Sequence, residues 1–179
     1  MVFAVALVPA MADTDSWTFT FTDAYSYVDT GTLAGNSNGN GTYTIDSGGI
    51  NMTDPGNGLY VGSATIYQNP NPPNAQYSPS GFFIYDDQLL PTQDPLITNP
   101  GLLFVGPGGS PEINLFSQGG PPEYLKYVNS GANVGGVFAL TSHSVLTNVD
   151  VPEPGAVSLL FAMLAGIGGL AGVLKKKLS

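Results

Sequence analysis

The chain has 179 residues, no cysteine, one histidine and a formal net charge of −9. The missing cysteines exclude a disulfide framework and thiolate chemistry, and with a single histidine they exclude a His/Cys zinc cluster. Four basic residues against 13 acidic ones exclude most nucleic-acid binding, which needs cations to neutralise phosphates, and disfavour adhesion to anionic lipid.

Residues 1–12 read M-V-F-A-V-A-L-V-P-A-M-A, an apolar stretch ending in the small-x-small pattern Ala10-Met11-Ala12 of a signal-peptide cleavage site. Residues 1–12 are therefore expected to be a signal peptide, cut after Ala12. Its basic leading region is missing, so either the true start lies upstream or the stretch is an ordinary first strand; the signal reading is preferred because the tail calls for export. Residues 13–150 have the length of one domain.

Ser16 to Thr22 alternates, with Trp17, Phe19 and Phe21 on one face and threonines on the other. That is a half-buried strand. A looser alternation runs from Tyr25 to Leu33, and Gly35 to Gly41 reads as a turn. Thr42 to Asp46 predicts a strand with Tyr43 and Ile45 inward. Asp54 to Gly58 is a second turn cluster. Leu59 to Tyr67 is the next strand. Asn69 to Ser80 is expected to be a long exposed loop, because its prolines cannot donate to a sheet. Further strands are expected at Gly81 to Leu90, Leu102 to Val105, Ile113 to Phe116, Tyr124 to Val128 and, the last and longest, Gly136 to Val149. Many short strands without helical periodicity predict an all-β domain, an antiparallel β-sandwich or jelly roll.

Few residues in this region suggest chemistry. In a strand, Ser142 and Ser144 point away from His143, and no G-x-S-x-G elbow is present, so a surface histidine is expected rather than a triad. Asp86, Asp87 and Asp94 are the candidate oxygen ligands for Ca²⁺, though no calcium-loop spacing is present; otherwise they are solvated loop acids. Glu112 and Glu123 are the glutamates of this region, each beside a proline-containing turn, and a glycosidase reading would need two acids across a cleft. Gly106 to Ser110 lacks the Lys-Ser/Thr ending of a phosphate loop and reads as a hairpin turn. Tyr67, Tyr77 and Tyr85 flank the Pro/Asn loop, where exposed rings would make a sugar-stacking platform.

Residues 156–174 are uncharged and apolar apart from Ser158, and Lys175, Lys176 and Lys177 follow directly. About 20 apolar residues form a membrane-spanning helix, and basic residues stay on the cytoplasmic side. One transmembrane helix is expected over 156–174, with the preceding chain outside the cytoplasm. Gly168 and Gly172 have the G-x-x-x-G spacing that lets membrane helices approach. The tail carries one glutamate and three lysines, +2, so the remainder bears −11 (−9 less +2). That charge suits either Ca²⁺ binding or solubility by self-repulsion.

Pro152-Glu153-Pro154, one apolar span and a basic end, in that order, resemble the PEP-CTERM sorting domain, with lysine where that family often has arginine. The resemblance covers residues 151–179. It implies recognition by exosortase, a membrane transpeptidase of Gram-negative bacteria that make exopolysaccharide. The precursor would be anchored in the inner membrane with its C-terminus cytoplasmic, then cut near the Pro-Glu-Pro motif. The expected product is a cell-surface or extracellular-matrix protein associated with exopolysaccharide or biofilm, without cofactor or catalytic activity. The alternatives are a carbohydrate-binding β-domain of the same layer and, disfavoured, a secreted hydrolase.

Overall fold

The computed structural model describes residues 14–54, 59–120 and 123–146, the last residue by its backbone alone. The predicted signal segment with Ala10 and Ala12, the span 156–174, the motif Pro152-Glu153-Pro154 and the lysines Lys175 to Lys177 lie outside these residues. Among the described residues no helix is long and apolar enough to cross a membrane.

In chain order the strands are β1 (Thr14–Asp23), β2 (Val28–Ser37), β3 (Tyr43–Met52), β4 (Gly62–Ile66), β5 (Gln76–Tyr77), β6 (Ile84–Tyr85), β7 (Gln88–Leu89), β8 (Leu102–Val105), β9 (Glu112–Ser117), β10 (Tyr124–Val128) and β11 (Asn133–Leu146). A 3₁₀ turn, Pro107–Gly109, sits between β8 and β9. β1 follows its alternation: Asp15, Trp17, Phe19, Phe21 and Asp23 are buried, and the residues between them face outward. The Gly35–Gly41 turn forms later than expected, because β2 runs on to Ser37 and the chain reverses over Asn38–Thr42.

The domain is all-β, but its strands do not divide into the two sheets of a sandwich or jelly roll. β1, β2, β3, β4, β8, β9, β10 and β11 pair antiparallel in that order, and β11 pairs back onto β1, closing an eight-stranded up-and-down barrel. Alternation reports that one face is buried; it does not say whether the opposing face belongs to a second sheet or to the same sheet curled round. Closure depends on the length of β11. Its residues 133–136 pair with β10, and 136–146 pair with β1. Closure also leaves no barrel strand with an open edge. The interior is packed with side chains, among them Phe19, Phe21, Leu33, Ile45, Met52 and Phe104, all buried. Eight strands enclose just enough room for such a filling.

Between β4 and β8 the chain makes an excursion, residues 67–101, over the outside of the barrel. β7 adds to the start of β3, and Leu89 and Ile97 join the main core. Phe83 and Tyr85 cover Leu103, building a second small core on the barrel's outer surface. β8 is thus buried on both faces, Leu102 and Phe104 inward and Leu103 under the excursion, which is why it reads as an unbroken apolar run. Gly101 holds a left-handed φ of 80° where the excursion rejoins the barrel, and its carbonyl accepts the N–H groups of Asp86 and Asp87. Any side chain there would meet the backbone of Phe116.

Candidate functional site

The antiparallel register of β1 and β11 sets Trp17 opposite His143, with Asp15 one pleat further along the same face. His143 stacks on Trp17 with ring centroids 5.2 Å apart and planes 15° apart, and Tyr43 meets Trp17 edge-on at 4.8 Å. His143 Nε2 lies 2.7 Å from Asp15 Oδ1. The histidine is 48% exposed at its side chain, whereas Trp17 is 3% exposed and forms the floor. Pro91 and Thr92 of the excursion complete a pocket of about 400 Å³.

This arrangement orients an imidazole beside a carboxylate over an aromatic floor, which suits holding a flat or ring-shaped ligand. It lacks the third member of a triad. Ser144 Oγ is 2.8 Å from Ser16 Oγ, and Ser142 Oγ is 2.7 Å from Thr18 Oγ1, so both hydroxyls bond along the outer face. The expected surface histidine is therefore a half-exposed one with a carboxylate partner. The signal was present in the chain, since Asp15 falls in phase with Trp17, Phe19 and Phe21.

The Ca²⁺ candidates separate. Asp86 and Asp87 are buried within the excursion, whereas Asp94 acts on Glu123, raising the pKa of its carboxyl. Among the described residues no three His, Asp or Glu side chains gather as a metal site. Asp86 and Asp87 are not solvated loop acids either. Asp86 Oδ1 accepts Thr98 Oγ1 at 2.5 Å and Gln88 N–H at 3.2 Å; burial raises its pKa, and these bonds oppose the rise. Asp87, at a left-handed φ of 53°, accepts Leu103 N–H at 3.0 Å. Burial, with a smaller contribution from the neighbouring Asp86 charge, pushes its carboxyl up to about 8. Asp87 therefore holds its proton to a much higher pH than an ordinary carboxyl does. Glu112 is buried as well, accepting Ser80 N–H at 2.7 Å and the hydroxyls of Ser78 and Ser80 at 2.6 and 2.5 Å. It clamps the excursion to β9 and does not face a second acid across a cleft.

The three tyrosines do not make one platform. Tyr85 is buried in the second core with Tyr67 edge-on at 6.2 Å, while Tyr77 is 72% exposed and pairs with Ile84 on the other face of the small ladder. Gly106 to Ser110 is the turn expected, joining β8 to β9.

Lys126 was not foreseen as an interior residue. It lies inside the barrel with its Nζ 2.5 Å from Asp29 Oδ2, both side chains 1% exposed. It shares the inward phase of Tyr124 and Val128, a signal available in Y-L-K-Y-V. No family model, curated protein or solved structure matches this chain.

Proposed function

We propose that this chain is an exported, non-catalytic barrel protein, held once in the inner membrane by residues 156–174 and cut near Pro152-Glu153-Pro154 by an exosortase. Its destination is the cell surface or the exopolysaccharide matrix. One observation carries the reading: a Pro-Glu-Pro motif, an uncharged apolar span and Lys175 to Lys177 stand in that order. Prolines lack an N–H and keep the residue before them extended, so the motif resists joining the helix and offers an enzyme an accessible strand-like segment. The span and the lysines fix its depth. The test is fractionation and mass measurement of the mature protein with and without an exosortase. Replacing Pro152, Glu153 and Pro154 together by alanine should leave anchoring intact and stop processing. A released form that still carries Lys175 to Lys177, or processing that ignores the triple variant, reduces the tail to a plain anchor.

A second reading, contact with a neutral polysaccharide, is favoured by the barrel's outer face. Thr18 lies opposite Thr32 and Thr20 opposite Thr30, and with Asn51, Ser63 and Thr65 they line a groove of about 580 Å³ whose lining residues carry no charge. In-register hydroxyls on neighbouring strands suit the hydroxyls of a glycan. Affinity electrophoresis through a neutral glucan should retard the protein, and Thr20→Asp with Thr30→Asp should abolish the retardation. Equal mobility with and without glucan rules this reading out.

A further inference from the structure

The turn between β2 and β3 holds two Asn-Gly pairs in succession, Asn38-Gly39 and Asn40-Gly41. Both asparagines are exposed, and both glycines hold a left-handed φ of 81°. A glycine leaves its own backbone nitrogen open to approach, because no Cβ stands beside it. A Cβ at Gly39 would meet nothing within 4 Å, and one at Gly41 only the Thr92 hydroxyl, at 3.9 Å. By sequence and exposure the two pairs are alike.

Their hydrogen bonds differ. Asn38 is tied at every group that could react. Its Nδ2 donates to Thr42 Oγ1 at 3.0 Å and to Gln88 Oε1 at 2.9 Å, and its Oδ1 accepts the Thr44 hydroxyl at 3.0 Å. The Gly39 N–H donates to Ser37 Oγ at 3.1 Å. At Asn40 only the oxygen is engaged. Asn40 Oδ1 accepts the Thr42 N–H at 3.1 Å and the Thr42 hydroxyl at 2.6 Å. Asn40 Nδ2 and the Gly41 N–H have no hydrogen-bond partner among the described residues. The ring closed by the Thr42 N–H bond contains both Asn40 Cγ and Gly41 N, so the side-chain amide is folded back over the nitrogen that follows it.

We propose that Asn40 is a modification site at which the chain deamidates itself, with Gly41 N as the nucleophile and Thr42 as the residue that activates the amide. Gly41 N bonds to Asn40 Cγ, and the negative charge that develops on Oδ1 is held by the Thr42 N–H and hydroxyl. The Cγ–Nδ2 bond then breaks, and the nitrogen leaves as ammonia, carrying the proton that Gly41 N gives up. Water opens the cyclic imide at either carbonyl, leaving an aspartyl or isoaspartyl linkage. Water enters, ammonia leaves, and nothing is oxidised or reduced. A neutral amide is thereby replaced by a carboxylate next to Gly41, which lines the pocket over Trp17 and His143. This site rests on neither the sorting tail nor the hydroxyl groove.

The test is incubation of the intact chain in detergent at neutral pH, followed by peptide mapping that separates amide, aspartate and isoaspartate at each asparagine. A chymotryptic cut at Tyr43 places Asn57-Gly58, outside the described residues, in a separate peptide. Asn40 should convert at least about tenfold faster than Asn38, whose leaving nitrogen must first break two hydrogen bonds. In urea, where the turn is lost, the two should convert at nearly equal rates. Thr42→Val, which removes the hydroxyl and keeps the N–H, should slow Asn40 by at least about threefold, and Thr42→Ser should keep the original rate. Asn38 converting as fast as Asn40 in the folded chain overturns the proposal. So does the same preference persisting in urea, an unchanged Asn40 rate in Thr42→Val, or a folded Asn40 that stays intact while the unfolded chain converts.

Discussion

Replacing Lys126 by methionine probes the barrel interior at its most sensitive point. The Lys126 ammonium touches Asp29 Oδ2 and lies 5.4 Å from the centroid of the Phe21 ring. The other Asp29 oxygen accepts Thr53 N–H at 2.8 Å. Methionine keeps most of the apolar stem and its volume, so packing changes little, but Asp29 is left buried and unpaired. Breaking a buried pair from one side costs about 3–5 kcal/mol. Asp29→Asn keeps an acceptor for Thr53 and leaves the ammonium alone, with a loss of similar size. The double variant Lys126→Met/Asp29→Asn buries no charge, so its loss should fall short of the sum of the single losses by about 2–3 kcal/mol. The assay is urea unfolding followed by the fluorescence of Trp17, the sole tryptophan and a core residue. Raising the salt should leave the coupling nearly unchanged, since buried pairs are weakly screened. A loss below about 1 kcal/mol in Lys126→Met, or additive losses in the double variant, would refute the claim that this pair is sealed from water.

Trp17→Ala should cost about 3–5 kcal/mol, because the ring is the floor between Tyr43 and His143; an unchanged melting temperature would place Trp17 outside the core. Asp87 binds its proton more tightly folded than unfolded, so its contribution to stability is fully present below an unfolded value near 3.9 and is lost as pH rises through about 8. Asp87→Asn should therefore remove part of the fall in melting temperature between pH 5 and pH 8, and an identical pH profile in the variant would count against a protonated Asp87. Because Asp94 stands apart from Asp86 and Asp87, about 10 mM Ca²⁺ should shift the melting temperature no more than Mg²⁺ does; a rise abolished by chelator would show that the acids regroup around the ion.

The strands were legible where one face is buried and alternation reports it. β1 follows the Trp17, Phe19 and Phe21 stripe, and β8 and β10 fall where Leu102–Val105 and Tyr124–Val128 were expected. Barrel closure was not legible, because no local pattern names the distant partner of a strand; the length of the last strand was its only trace. Of the candidate sites, the Asp15–His143 and Asp29–Lys126 pairs could have been approached through phase, since each charged residue recurs with inward apolar neighbours. The environment of Asp87 could not. It sits between short strands, and its burial exists only because Phe83 and Tyr85 dock on Leu103 far along the chain.

The acids themselves require a different account from the one their charge suggests. A surplus of carboxylates spread over a surface would serve solubility by repulsion. Here Asp15, Asp23, Asp29, Asp54, Asp86, Asp87 and Glu112 are all buried. Asp23 accepts the amides of the β1–β2 turn, Asp29 that of Thr53 beyond β3, Asp86 that of Gln88, Asp87 that of Leu103, and Glu112 that of Ser80. In each case an N–H in or beside a loop finds a side-chain oxygen in place of a strand partner. The excursion between β4 and β8 has little regular sheet of its own, so carboxylates take over the role that backbone carbonyls play inside the barrel. A chain with almost no basic residues accommodates this by raising the pKa of a buried carboxyl, as at Asp87, and, among the described residues, by pairing the interior ammonium of Lys126 with Asp29.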